Sequence, residues 1–136
     1  MNSVTVSRII DAPPDAVRES IGRIEPFVAA SGVDEVTVED GLVRVTNLVG
    51  IATIELTLEL VEATDAALAY EQREGIFEEM RTTYRLARVD GGTEVTATTA
   101  FELGVPLLGD ALDSTVIERQ RRRELEAQFD WLAGVC

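Results

Sequence analysis

At 136 residues and 14.8 kDa, the chain has the length of one domain covering 1–136, too short for a separate cofactor module yet able to bury about two thirds of its surface on folding. Hydrophobic residues make up 46% and charged residues 27%, a globular composition well away from that of disordered chains. Twenty-five Asp and Glu against twelve Arg, with no Lys, leave a net charge of −13, which repels polyphosphate and anionic surfaces and argues against nucleic acid as a partner.

Val4, Val6 and Ile10 alternate with Thr5 and Ser7 across 3–11, the period-2 pattern of a half-buried strand. Ala12-Pro13-Pro14-Asp15 stops it, with Pro14 suited to a first helical position and Asp15 to the positive helix end. A helix is therefore expected from Pro14 to about Ile24, with Val17, Ile21 and Ile24 inward and Pro26 as its end, followed by a short helical turn over 27–30. From Val33 the chain reads as a meander. Val36 and Val38 alternate with acidic and Thr residues, Asp40-Gly41 gives a two-residue hairpin signal, and 42–49 returns. After Gly50, Ile54, Leu56, Leu58 and Leu60 alternate strictly with Thr53, Glu55, Thr57 and Glu59, giving one apolar and one wet face. Leu68 and Tyr70 continue the pattern, 80–89 makes a further strand, and Asp90-Gly91-Gly92 turns it into 93–103.

Pro106 closes the seventh strand, and the rest reads as one long helix from about Leu107 to Ala133. Its apolar stripe runs through Leu107, Leu108, Ala111, Thr115, Leu125, Phe129, Leu132 and Ala133, with Glu118 and Arg122 inside it. The fold class is α+β: a seven-stranded curved antiparallel sheet wrapped around a long C-terminal helix, with one or two short helices after strand 1. Curving a sheet around a helix tends to leave space between them.

The residues that are missing narrow the chemistry. Without His, and with Cys136 as the single Cys, the chain has no Ser-His-Asp or Cys-His set and no zinc or iron–sulfur ligand set. There is no Gly-x-Gly step for a dinucleotide or phosphate loop, so no cofactor is expected. Apolar runs are only a few residues long and Met1 leads straight into a strand-like stretch, which points to a cytoplasmic protein without stable membrane insertion. An acidic, Lys-free surface suggests a halophilic host, since like charge destabilises the compact state unless salt screens it.

The opening words Val4-Thr5-Val6-Ser7-Arg8-Ile9-Ile10-Asp11-Ala12-Pro13-Pro14-Asp15-Ala16-Val17 and the later Tyr84-Arg85-Leu86 through Val89-Asp90-Gly91-Gly92-Thr93-Glu94-Val95-Thr96 resemble the START-like helix-grip superfamily, often called SRPBCC. That superfamily includes polyketide cyclase/dehydrase-like and lipid-transport members. The likeness covers nearly the whole chain and implies a helix-grip fold. It also implies one of several roles: binding lipids, hormones or polyketide intermediates, or contacting other proteins.

Polar residues in register with the apolar strand faces are the candidate ligand-binding set: Arg8, Asn47, Tyr70, Gln72 and Tyr84, joined by Glu118 and Arg122 on the helix. Glu118 and Arg122 have the spacing of a favourable helical ion pair, with Arg122 available to an acidic head group. Glu55 or Glu74 could be a general base with a Tyr as the acid, but no spacing marks two carboxylates as partners, and general-base work needs a pKa that burial has shifted. Three readings remain: a binder or carrier of a hydrophobic small molecule, a cyclase/dehydratase-like enzyme using the same cavity, and a protein-interaction module. The oligomeric state is not legible.

Overall fold

The computed structural model describes residues 1–104 and 113–136. Its elements are β1 (Asn2–Ile10), α1 (Pro14–Gly22), α2 (Ile24–Ala29), β2 (Glu35–Glu39), β3 (Leu42–Val49), β4 (Ala52–Leu60), β5 (Leu68–Glu74), β6 (Phe77–Val89), β7 (Gly92–Leu103) and α3 (Ser114–Val135). All seven strands pair antiparallel in the order β1-β7-β6-β5-β4-β3-β2, a curved sheet around α3, as the helix-grip reading requires.

Two turns show why the sequence folds as it does. At Asp40-Gly41 both residues have positive φ, 51° and 76°, the mirror-image turn whose twist matches the flanking strands and which favours Asp-Gly. At Gly92, with φ 148°, a Cβ would lie 2.0 Å from the Ile10 carbonyl oxygen. Only glycine lets the start of β7 cross the end of β1 so closely, and Thr93 Oγ1 then donates to the Ala12 carbonyl at 2.7 Å.

The core lies between the sheet and α3. Val4, Val6 and Ile10 of β1, Val95, Ala97 and Phe101 of β7, and Leu125, Phe129 and Leu132 of α3 are all buried. The helix lies along β1 and β7, so it closes one side of the curved sheet and leaves the side of β3 to β5 less filled. Phe27 of α2, fully buried, packs edge-on against Tyr84 with ring centroids 5.0 Å apart.

Three boundaries differ from the sequence expectation. The first helix breaks at Arg23 (φ −81°, ψ 77°), and Pro26 sits inside the first turn of α2 rather than ending α1. Proline costs little there, because a first-turn N–H has no intrahelical partner. β6 begins at Phe77 rather than at residue 80. The last helix starts at Ser114, because Asp113 is an extended N-cap whose side chain accepts from the Val116 N–H at 2.9 Å. The expected stripe positions Leu107, Leu108 and Ala111 lie outside the described residues.

Candidate functional site

The space under α3 is a hollow on the β3 to β5 side. It has a volume of about 80 Å³. That is small against the roughly 300–1,000 Å³ of typical small-molecule sites, so the hollow suits a compact guest and has to widen for a larger one. Ile54, Leu56 and Leu58 of β4, Phe77 and Met80 of β6 and Phe101 of β7 supply much of its apolar wall. Strand parity turns alternate residues of each strand inward, and the register shift between Phe77 and Glu79 lets Phe77 share a face with Met80.

Its polar wall comes from a few residues of the same parity and one turn of α3. Strand register sets Thr99, Thr82 and Tyr70 side by side across β7, β6 and β5. Arg121 reaches down onto that row from the helix. Its Nε donates to Thr99 Oγ1 at 2.8 Å, its Nη1 to Glu124 Oε1 at 3.0 Å, and its Nη2 to Tyr70 Oη at 2.5 Å. Longer Nη2 contacts reach Thr82 at 3.3 Å and Tyr84 at 3.4 Å. Glu124 Oε2 accepts from Asn47 Nδ2 at 2.7 Å and from Gln120 Nε2 at 3.2 Å. The Arg121 and Glu124 side chains are only 13% and 11% exposed, so this is a buried ion pair with every charged oxygen bonded.

Behind it, Tyr84 donates to Gln128 Oε1 at 2.6 Å, and Gln128 Nε2 donates to the Phe27 carbonyl at 3.0 Å. Burial, reinforced by Tyr70 and only partly opposed by Arg121, pushes the Tyr84 hydroxyl pKa well above 10.0. Tyr84 therefore holds its proton and acts as a donor. Burial alone lowers the Arg121 pKa, but Tyr70, Tyr84 and Glu124 outweigh it and the net direction is up, so the guanidinium stays charged. Because the Tyr84 proton goes to Gln128, the 3.4 Å contact between the two phenols uses the Tyr70 proton, and only weakly. That O–H, one remaining Nη1 hydrogen of Arg121 and the second amide hydrogens of Asn47 and Gln120 are donors left for a guest.

Among the candidates from the sequence, Asn47 and Tyr70 line the hollow, and Tyr84 lies directly behind it as the inner end of the network. Gln72 instead holds the β5–β6 turn, donating to the Phe77 carbonyl at 2.7 Å and accepting from its N–H at 3.0 Å. Arg8 pairs with Asp130 and lies 6.0 Å from the centre of the Phe129 ring, away from the hollow. Arg122 is exposed and directed at the Thr5 carbonyl, 3.5 Å away, and among the described residues it forms no ion pair with Glu118. The pair forms one step round the helix, between Arg121 and Glu124. The physical reason is phase: Asp113 starts the helix, and the buried line runs through Ile117, Glu124, Leu125, Gln128, Phe129 and Leu132, leaving Thr115 and Ala133 exposed. Glu55 and Glu74 are exposed. Among the described residues no group of His, Cys, Asp and Glu is placed to hold a metal ion.

A curved sheet gripping a helix over an apolar hollow with a small polar end defines the class: a helix-grip cavity protein. The family model for polyketide cyclase/dehydrase and lipid transport matches residues 1–136, and the chain belongs to that family. No curated protein matches it in sequence. Solved structures share the fold at low identity. A protein from Thermus thermophilus is 19% identical with a TM-score of 0.74, covering 98% of this chain and 96% of its own. The Zhui aromatase/cyclase from a Streptomyces species is 21% identical with a TM-score of 0.75, covering 96% and 93%. A START superfamily protein from Mycobacterium smegmatis is 9% identical with a TM-score of 0.75, covering 97% and 94%. Among the described residues no helix is long and apolar enough to cross a membrane.

Proposed function

We propose that this protein binds and carries a small, mostly hydrophobic molecule of lipid, isoprenoid or polyketide-like chemistry in the hollow between sheet and α3. The observation that carries the reading is the hollow itself: an apolar wall from β4, β6 and β7 facing one polar end at Tyr70 and Arg121. Few, convergent polar groups in an oily pocket orient a guest and add specificity. The same proposal takes residues 1–136 as one cytoplasmic domain working without a cofactor.

A cyclase/dehydratase-like reaction in the same hollow draws support from the family and from the fold shared with an aromatase/cyclase. The side chains favour binding. Tyr84 keeps its proton too firmly for acid catalysis near neutrality, and the carboxylate that lines the hollow, Glu124, is engaged by Arg121. The test is mass spectrometry of an organic extract of the purified protein, run beside a Leu56→Trp variant that fills the hollow. A compound present in stoichiometric amount from the wild type and missing from the variant supports the carrier. An empty wild type that also fails to bind 2-acetylnaphthalene refutes it.

A further inference from the structure

We infer that Glu124 makes this cavity selective for an uncharged oxygen head group, such as a ketone, aldehyde or alcohol, and turns carboxylates away. The inference rests on the binding function proposed above and specifies its ligand. A lone guanidinium at the end of an apolar pocket is a carboxylate receptor, offering a planar fork of donors to two anionic oxygens. Here that fork is already occupied. The bonds to Thr99, Glu124, Tyr70 and the neighbouring hydroxyls use four of the five Arg121 N–H groups. Its charge is matched by Glu124 at 3.0 Å.

Glu124 in turn is held in place from both sides. Oε1 faces Arg121, and Oε2 is fixed by Asn47 and Gln120, which line the same cavity. The polar end of the hollow thus carries no net charge, and it offers separate single donors in place of a fork: the Tyr70 O–H, one Nη1 hydrogen and the second amide hydrogens of Asn47 and Gln120. Each suits one neutral oxygen. An incoming carboxylate would give up its hydration and find the attraction of Arg121 cancelled by a like charge in the same small space. A ketone of equal size gives up little and accepts the same hydrogen bonds.

Two probes of matched size test this: 2-acetylnaphthalene and 2-naphthoate, titrated calorimetrically into the full chain at pH 7.5. The wild type is expected to bind the ketone at least about tenfold more tightly than the carboxylate. Glu124→Gln exposes an uncompensated Arg121, and the carboxylate is expected to gain at least about tenfold while the ketone changes by less than about threefold. Wild-type binding of naphthoate equal to or tighter than that of the ketone overturns the selectivity and leaves the cavity function standing. Binding of neither probe overturns the cavity function and this inference with it. The wild-type ratio decides by itself if the variant does not fold.

Discussion

Removing one partner of the Arg121–Glu124 pair should cost far more stability than removing both. At an effective dielectric of about 20, two unit charges 3.0 Å apart attract by roughly 5 kcal/mol, which offsets a desolvation penalty of several kcal/mol per ion. The pair therefore nets near zero. Arg121→Met leaves Glu124 buried with Asn47 and Gln120 as its only partners, and about 3–5 kcal/mol of destabilisation is expected. Glu124→Leu leaves a buried guanidinium and should cost a similar amount. The double variant Arg121→Met/Glu124→Leu has no buried charge at this site and should lie within about 1.5 kcal/mol of the wild type, a coupling energy of several kcal/mol. Urea unfolding followed by the fluorescence of Trp131 measures all four corners of the cycle, with the slope checked for constancy. Single variants that each cost less than about 1 kcal/mol, adding up in the double variant, would mean that water solvates the pair and that the polar end of the hollow is open solvent.

Gly92→Ala should destabilise the fold by more than about 2 kcal/mol, since its Cβ would meet the Ile10 carbonyl oxygen 2.0 Å away; urea midpoints of the two proteins compare this directly. Stability should fall at alkaline pH because burial, followed by Tyr70, raises the Tyr84 pKa above its unfolded value of 10.0. Between those two values the folded state binds the extra proton. Stability is thus complete below about pH 10 and declines above it by up to about 1.4 kcal/mol per pH unit, a slope that Tyr84→Phe should reduce. With a net charge of −13, raising KCl from about 0.1 to 1 M shortens the screening length from about 10 to 3 Å and should raise the urea midpoint, and an unchanged midpoint would remove the halophilic reading.

The fold was legible because its signals are local. Asp40-Gly41 specifies a hairpin by itself, and the alternation from Ile54 to Leu60 specifies which face of β4 is wet. Asn47 and Tyr70 could be picked for the same reason, since they share parity with Val45 and Leu68. The helix side of the site was not legible. Phase carried down from Leu107 and Leu108 turned Glu118 and Arg122 inward, whereas α3 has its N-cap at Asp113 and sets Arg121, Glu124 and Gln128 facing the sheet. An Asp followed by Ser114-Thr115 is the capping signal that would have corrected it. The remaining misplacements are of another kind. Arg8 has inward parity but is long enough to reach Asp130, and Gln72 turns its amide to the Phe77 backbone, so parity alone does not tell where a polar tip ends.

The sheet and α3 enclose an apolar space between them. Diffraction from crystals of the protein held under xenon probes that space, because xenon occupies apolar cavities without needing a specific ligand. Xenon density against Ile54, Met80 and Phe101, or a carried guest in its place, is the predicted result. Those side chains packed against Ile117 and Val45 with no xenon between them would mean that the sheet and α3 enclose no cavity.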